Sequence, residues 1–231
     1  MAVPPPHRSH VDSRAIDETR ELGRRIAPAS PSDVTPPFCR GAPSPNPYAS
    51  MLTDKRALRA RLRAERDAFA ADGPEPIKAP PAFVDRLRPG AVVASYAPLA
   101  SEADPAALAA AAVAVGCTLA LPHVVDRATP LRFLAWDGVS ALVRGPFGLN
   151  VPPAAWPGVA PDVILTPLLA FDRALNRLGQ GAGHYDRAFA AHPQAWRVGV
   201  AWSVQQVEAL VPDAWDVPLH NLVTEQEWLT R

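Results

Sequence analysis

Residues 163–191 place a buried-strand pattern, a glycine-rich stretch and a helix start in direct succession. Val163–Leu169 is a short apolar run with β-branched residues, which is typical of a strand buried on both faces. Glycine then recurs at every second position, at Gly179, Gly181 and Gly183. Such glycines let a ligand approach backbone N–H groups, and the helix predicted over His184–Ala191 adds the positive end of its dipole. This order predicts an anion site beyond the carboxyl end of a strand.

The spacing of these glycines excludes two common nucleotide-binding motifs. A G-x-G-x-x-G fingerprint would need glycine where the chain has His184. A Walker A loop would need the sequence Gly-Lys-Ser/Thr, and neither of the two lysines, Lys55 and Lys78, occurs in such a sequence. The glycines alone would favour a structural hairpin. Charged neighbours favour phosphate instead, because arginine neutralises phosphate charge and a carboxylate beside phosphate suits Mg²⁺. These neighbours are Asp172, Arg177, Asp186 and Arg187.

Predicted helices and strands alternate along most of the chain. A helix is predicted over Thr53–Ala70 with Thr53 as its N-cap, and Asp104 with Pro105 starts a second helix that runs to Val115. Further strands are predicted over Ala91–Tyr96, Thr118–Val125, Leu131–Trp136, Arg197–Trp202 and Leu222–Thr224. The alternation predicts an α/β fold of three layers, a mostly parallel sheet with helices on both faces, in a single domain.

Residues 1–50 differ in composition from the remainder. They hold 10 of the 28 prolines and no tryptophan, and they have no sustained hydrophobic period. Such a segment buries too little apolar surface to offset its ordering entropy. We therefore expect residues 1–50 to be a disordered proline-rich extension of a domain over residues 51–231. Met51 is the second of the two methionines, and our hypothesis is that translation can begin there.

The charge balance indicates the class of partner. The chain has 23 basic and 23 acidic residues, which predicts no attraction to nucleic acid or to an acidic membrane surface. Its apolar runs are all shorter than the roughly 18 residues of a membrane span. Cys39 and Cys117 are too few for a disulfide framework, which favours a reducing compartment. We expect a cytoplasmic monomer that acts on small molecules.

Several segments resemble one known family. The sequence Arg177–Arg187, RLGQGAGHYDR, resembles the RLGxGxGYYDR signature of the 5-formyltetrahydrofolate cyclo-ligases, also called methenyltetrahydrofolate synthetases. The segment Lys55–Arg59 is similar to the K-x-x-L-R segment of that family, and Ser95–Asp104 to its Y-x-P…E-x-D/E segment. Residues 148–152 and 198–225 follow further family patterns in the same order. The resemblance extends over about residues 51–225.

The resemblance implies a ligase that uses ATP as co-substrate and Mg²⁺ to cyclise 5-formyltetrahydrofolate to 5,10-methenyltetrahydrofolate through a phosphorylated formyl intermediate. It implies Lys55 and Arg177 as catalytic residues and Asp186 and Asp216 as Mg²⁺ ligands. The residues expected to bind ATP are Lys55, Arg56, Ala57, Leu58, Arg59, Arg177, Leu178, Gly179, Gln180, Gly181, Ala182, Gly183, His184 and Tyr185. Those expected to bind the reduced folate are Leu99, Glu102, Asp104, Gln180, Gly181, Ala182, Gly183 and His184.

One basic stripe on the first predicted helix has two interpretations. Lys55, Arg59 and Arg63 share a helical face, and a stripe of this kind is commonly a solvated surface. The resemblance assigns Lys55 and Arg59 to ATP phosphates and leaves Arg63 at the surface.

Six positions near the implied site depart from the family patterns. They are Pro105, Val151, Ala182, His184, Trp215 and His220. Ala182 replaces a usual glycine or lysine and is tolerated only if its φ is negative. Val151 removes a polar side chain where Glu or Gln commonly precedes the proline, and Trp215 and His220 stand around the implied metal segment. These departures leave open a divergent paralogue that binds nucleotide but has lost or changed the ligase activity.

Overall fold

The computed structural model describes residues 47–126 and 129–231, so the expectation of disorder for residues 1–46 lies outside the described residues. The helices are α1 (Pro47–Ala71), α2 (Pro81–Val84), α3 (Ala106–Val115) and α4 (His184–Ala191). The strands are β1 (Val92–Ala94), β2 (Thr118–His123), β3 (Arg132–Trp136), β4 (Val143–Arg144), β5 (Asn150–Val151), β6 (Val163–Pro167), β7 (Ala170–Phe171), β8 (Arg177–Leu178), β9 (Trp196–Val200), β10 (Asn221–Val223) and β11 (Trp228–Thr230). No helix within these ranges is long and apolar enough to cross a membrane.

Seven strands form one sheet in the spatial order β11-β10-β9-β6-β1-β2-β3. The strands β10, β9, β6, β1 and β2 run parallel, whereas β11 and β3 pair antiparallel at the two edges. The strands β4 and β5 form one small antiparallel ribbon, and β7 and β8 form another. The predicted mostly parallel sheet is confirmed.

The central strand β6 buries both of its faces. Val163 and Leu165 pack in a core cluster with Leu108 of α3, whereas Ile164 between them packs in a second cluster with Phe189 of α4. Successive side chains of a strand point to opposite faces of the sheet, so the two clusters lie on opposite sides. Helices therefore cover both faces, which gives the predicted three layers.

Helix α1 begins at Pro47 rather than at the predicted N-cap Thr53. Proline is compatible with the first turn of a helix, and no glycine or further proline interrupts residues 48–70. Residues 47–50, assigned from composition to the unfolded extension, are therefore helical. Helix α4 spans the predicted His184–Ala191.

The ribbon of β7 and β8 carries the chain from the sheet toward the three glycines. Its turn is held by Asp172, which accepts hydrogen bonds from the backbone N–H groups of Asn176 and Leu210, both at 3.0 Å. Asp172 is buried. The sequence suggested Asp172 as a charge near phosphate, but the structure makes it a turn residue that ties the ribbon to the segment before β10.

The replacement Gly199→Ala tests how tightly this sheet is packed. An added Cβ would lie 2.6 Å from Leu219 Cδ1 and 2.9 Å from Leu222 Cδ1, and both leucines are fully buried. We expect urea denaturation to give a loss of about 1–3 kcal/mol in the free energy of unfolding, because overpacking forces neighbours to shift. The control is Gly158→Ala, whose Cβ would meet only the Arg132 guanidinium at 3.9 Å. Equal stabilities for the two variants would contradict this packing.

Candidate functional site

A cavity of about 1180 Å³ opens at the carboxyl edge of the parallel strands. Tyr96 follows β1, Pro122 lies near the end of β2 and Pro167 ends β6, and all three line the cavity. Open α/β sheets bind ligands at this edge. The volume exceeds the range of roughly 300–1,000 Å³ typical of one small-molecule pocket, so two ligands can lie side by side.

The cavity brings together most of the residues predicted from the sequence. They come from α1, from the segment after β1, from the stretch that runs from β8 to the first turn of α4 and from the segment before β10. The predicted residues that line it are Lys55, Leu58, Arg59, Leu99, Glu102, Arg177, Leu178, Gly179, Gln180, Gly181, Ala182, Gly183, His184, Tyr185, Asp186 and Asp216.

Three predicted residues lie outside the cavity lining. Arg56 and Ala57 are exposed on α1, on the helix surface between the lining residues Lys55 and Leu58. Asp104 is also exposed, and its Oδ1 accepts a hydrogen bond from the N–H of Ala106 at 2.9 Å. Its side chain therefore closes a turn directly before α3, in which Pro105 is the N-cap residue.

The glycine loop, residues 179–183, has a backbone that requires glycine at two positions. Gly181 has a φ of +102° and Gly183 a φ of +65°, in the left-handed region that favours glycine. Ala182 is not among the residues with a positive φ, so its methyl side chain is compatible with the backbone of the loop. The Nε of Arg59 donates to the carbonyl of Gly179 at 3.0 Å. A Cβ added at Gly179 would meet nothing within 4 Å, so space for a ligand remains there.

Arg177 and Asp186 form an ion pair across the ends of the glycine loop. The guanidinium donates to Asp186 Oδ1 at 2.5 Å and also donates to the carbonyl of Val217. Burial lowers the pKa of Arg177, and the carboxylates of Asp186 and Asp216 counteract this effect. A buried cation with two carboxylates nearby is thus fixed next to the first turn of α4.

The cavity lining contains one functional candidate, Asp213, that sequence reasoning missed. Lys55 Nζ donates to Asp213 Oδ2 at 2.6 Å, and the N–H of Asp213 donates to Asp216 Oδ2 at 2.8 Å. Asp213 lines the cavity and links the basic end of α1 to the implied metal segment. Its only sequence signal was its position three residues before Asp216.

Arg63 is exposed, as expected for a surface residue, and it also contacts the side chain of Gln180 in the glycine loop. Its guanidinium donates to Gln180 Oε1 at 2.8 Å. The contact is exposed, so its contribution to stability is small. It nevertheless extends the attachment of α1 to the loop from Arg59 by one further turn of the helix.

Glu102 is a buried carboxylate in the cavity wall, with only 6% of its side chain exposed. Burial raises its pKa, while the N–H of Leu99, the guanidinium of Arg66 and the amide of Gln180 lower it in part. Burial and the charge of Glu102 also raise the pKa of Tyr96 and of Tyr185, so both phenols stay neutral. The wall offers one strong acceptor among apolar and aromatic surfaces.

The family departures lie at different distances from this cavity. Val151 is buried in its wall, Trp215 lines it with 71% of the residue exposed, and His184 lines it beside Arg187. His220 is not part of the lining, and its Nδ1 accepts a hydrogen bond from the N–H of Arg197 at 3.1 Å. The histidine therefore has a structural role between two strands.

The described residues contain no group of three or more His, Cys, Asp or Glu side chains placed to hold a metal ion. Mg²⁺ does not need such a group, since it commonly binds one or two carboxylates together with phosphate oxygens and water. Asp186 and Asp216 both line the cavity, and both act electrostatically on Arg177. These oxygen donors fit Mg²⁺ that arrives with a phosphate ligand.

The 5-formyltetrahydrofolate cyclo-ligase family matches residues 51–225, so the chain belongs to that family. It is 38% identical to the 5-formyltetrahydrofolate cyclo-ligase of Haemophilus influenzae over 103 residues, or 40% of this chain and 53% of the relative. It is 38% identical to the Escherichia coli enzyme of that name over 107 residues, or 42% of this chain and 59% of the relative. The matched segments thus span little more than half of these two relatives.

Solved structures agree with the family assignment. The fold matches the 5,10-methenyltetrahydrofolate synthetase of Aquifex aeolicus with a TM-score of 0.53 and 29% identity, over 79% of this chain and 89% of that one. It also matches the synthetase of Mycoplasma pneumoniae with a TM-score of 0.52 and 21% identity, over 74% and 99% of the two chains. The second match supports the fold alone.

The replacement Glu102→Gln tests the buried carboxylate. A carboxyl group whose pKa is higher in the folded state than in the unfolded state contributes its full stabilisation at pH values below the unfolded-state pKa. This contribution is lost as the pH rises through the folded-state pKa. We expect the free energy of unfolding of the wild type, relative to Glu102→Gln, to fall as pH increases above the ordinary value of 4.5. Urea denaturation measures this difference between pH 4 and pH 8, which is approximately the range in which carboxyl groups with ordinary and with raised pKa titrate. The control is Glu65→Gln at an exposed position on α1, and a pH-independent difference for Glu102→Gln would contradict the assignment.

Proposed function

We propose that this protein is an ATP- and Mg²⁺-dependent ligase that cyclises 5-formyltetrahydrofolate to 5,10-methenyltetrahydrofolate. One observation carries the proposal: the glycine loop, the cations of α1 and the buried Glu102 all line one cavity with room for two ligands. Family membership supports the same reaction class. The monomeric state and the cytoplasmic location remain predictions from the sequence.

The phosphates of ATP would lie against the glycine loop. The first backbone N–H groups of α4 have no partner within the helix, and the helix dipole favours an anion at that end. Lys55, Arg59 and Arg177 bring positive side chains to the same part of the cavity. Their charges would neutralise the charge that builds up on the phosphoryl group during transfer.

Asp186 and Asp216 would hold Mg²⁺ beside these phosphates. The ion would supply charge neutralisation at the β- and γ-phosphate oxygens. Asp186 is already oriented by its ion pair with Arg177, and Asp216 by the N–H of Asp213. Both carboxylates are thus held in place without relying on the ion.

The folate would occupy the wall formed by Leu99, Glu102 and Tyr185. An acceptor between apolar surfaces suits a flat heterocycle that carries N–H donors. Asp104 is left out of this proposed folate wall, because it is exposed and does not line the cavity.

The proposed chemistry converts a poor leaving group into a good one. The formyl oxygen attacks the γ-phosphorus of ATP and ADP leaves, so that the formyl group becomes an iminophosphate with an electrophilic carbon. N10 of the folate then bonds to this carbon and gives its proton to solvent, and the bond from the carbon to the phosphate oxygen breaks to release inorganic phosphate. The protein contributes mainly by holding the reacting atoms in line and by stabilising charge, with Lys55 and Arg177 at the phosphates.

The alternative of a divergent nucleotide-binding paralogue rests on two departures from the family pattern, Val151 and Pro105. Val151 gives apolar surface in the cavity wall where the family pattern commonly has Glu or Gln. A folded protein that binds ATP without forming product, and that gains product when Val151→Glu or Pro105→Thr is introduced, would favour the paralogue.

The first experiment incubates the full chain with 5-formyltetrahydrofolate, Mg²⁺ and ATP and follows the absorbance band of the methenyl product. We expect a rise that depends on ATP and stops when the Mg²⁺ is chelated. A flat trace from folded protein that retains both ligands in equilibrium binding would contradict the proposed reaction.

The replacement Asp186→Asn tests the metal assignment. The amide keeps the shape and loses the charge, so we expect turnover to fall by at least about a hundredfold at ordinary Mg²⁺ concentration, which corresponds to about 2.7 kcal/mol of transition-state stabilisation. Far-ultraviolet circular dichroism should be unchanged. Asp85→Asn, at the exposed end of α2, is the control, and unaltered turnover in Asp186→Asn would refute the assignment.

The replacement Gly179→Ala tests backbone approach of the phosphates to the glycine loop. The added methyl would meet no protein atom within 4 Å, so stability should change by less than about 0.5 kcal/mol, as for an unremarkable surface site. ATP affinity should fall about tenfold, since the methyl occupies ligand space. Gly158→Ala is the matched control away from the cavity. Equal ATP affinities for both variants would place the phosphates elsewhere.

A further inference from the structure

Arg66 is a buried cation with no assigned role, directly behind the wall of the cavity. Only 3% of the residue is exposed, and it is absent from the cavity lining. Its Nε donates to Ser101 Oγ at 2.9 Å, and its NH1 lies 3.9 Å from Glu102 Oε1. Within the described residues, that buried NH1 has no hydrogen-bond partner.

Folding alone gives little reason for an arginine at this position. A buried ion pair is often no more stabilising than well-packed apolar side chains of similar volume, because desolvation offsets the attraction. An unsatisfied buried donor adds a further cost. The positive charge of Arg66 is better explained by a role at the adjacent cavity than by a contribution to folding.

Glu102 is the cavity-lining residue that Arg66 contacts. Its Oε2 accepts from the N–H of Leu99 at 3.0 Å, and its Oε1 accepts weakly from Gln180 Nε2 at 3.4 Å. The carboxylate therefore connects the folate wall with the glycine loop. A shift of Glu102 by less than about 1 Å would turn its contact with Arg66 into a charge-assisted hydrogen bond.

The other charged and titratable groups around this pair are few. Asp67 accepts a hydrogen bond from Ser101 Oγ, and Arg63 adds positive charge near Arg66. Tyr96 and Tyr185 interact with Glu102 and are neutral phenols at ordinary pH. Arg66 is thus the nearest cation that favours the ionised form of the carboxylate.

We propose that Arg66 is a positioning residue that holds Glu102 at the cavity wall as an oriented anionic acceptor for the N–H donors of the folate heterocycle. This inference rests on the proposed function for the identity of the ligand. Arg66 does not touch the ligand itself. It acts on folate binding through the orientation and ionisation of Glu102, and it leaves ATP contacts unchanged.

The kinetic test compares Arg66→Met and Arg66→Lys with Arg61→Met, an exposed position on the same helix. We expect Arg66→Met to raise the KM for 5-formyltetrahydrofolate about tenfold, because the variant loses ground-state binding of the folate. Both kcat and the KM for ATP should stay within about twofold of their wild-type values. The pH at which the folate KM rises on acidification should move upward. Arg66→Lys, which keeps a charge, should restore part of the affinity. An unchanged folate KM in folded Arg66→Met would overturn the inference.

A second measurement does not depend on turnover. Carboxyl ¹³C NMR, with Glu102→Gln to assign the signal, follows the titration of Glu102 in the full chain. We expect the midpoint to move upward in Arg66→Met and to stay in Arg61→Met, and an unmoved midpoint would overturn the inference. If Arg66→Met fails to fold, Arg66→Gln, which also removes the positive charge beside Glu102, is titrated instead and decides in the same way. Absence of ATP-dependent product in the wild type would refute the proposed function, while the NMR result would still decide on Arg66.

Discussion

The ion pair between Arg177 and Asp186 sets the form of the glycine loop, because it joins the strand before the loop to the first turn of the helix after it. Arg177 is itself fixed by the carbonyl of Val217 and by the ring of Phe189, whose centroid lies 4.5 Å from the guanidinium carbon. Between these fixed ends the chain must turn sharply, with a φ of +102° at Gly181. The N–H groups assigned to phosphate are therefore held before a ligand arrives, which lowers the cost of ordering them during catalysis.

The parts of the fold that were predictable depend on local signals. The apolar run at Val163–Leu169 can be satisfied only by burial on both faces, and it became the central strand β6. The limits of α4 followed from Gly183 before it and the absence of breakers within it. The start of α1 at Pro47 was missed, because an N-cap residue such as Thr53 is only a preference and a helix can continue through it.

The parts of the site that were not predictable depend on partners far away in the chain. Asp213 is joined to the site by its hydrogen bond from Lys55, which lies 158 residues away in the sequence. No local sequence pattern distinguishes Asp213 from other aspartates in loops. Arg63 is exposed as predicted, but its contact with Gln180 depends on a residue 117 positions away in the sequence and has no local signal. Asp104 shows the reverse case, since a motif suggested a ligand contact for a residue that lies outside the cavity lining and accepts a local hydrogen bond from the N–H of Ala106.

Helix α1 contacts both the glycine loop and Glu102 of the cavity wall. Arg59 contacts the glycine loop near its start, and Arg66, about two turns further along, lies behind the folate wall. If ATP binds at the glycine loop as proposed, the free energy with which it fixes α1 there also fixes the turn that carries Arg66. Thermodynamic linkage then requires the effect to be reciprocal, so each co-substrate would strengthen the binding of the other by the same factor.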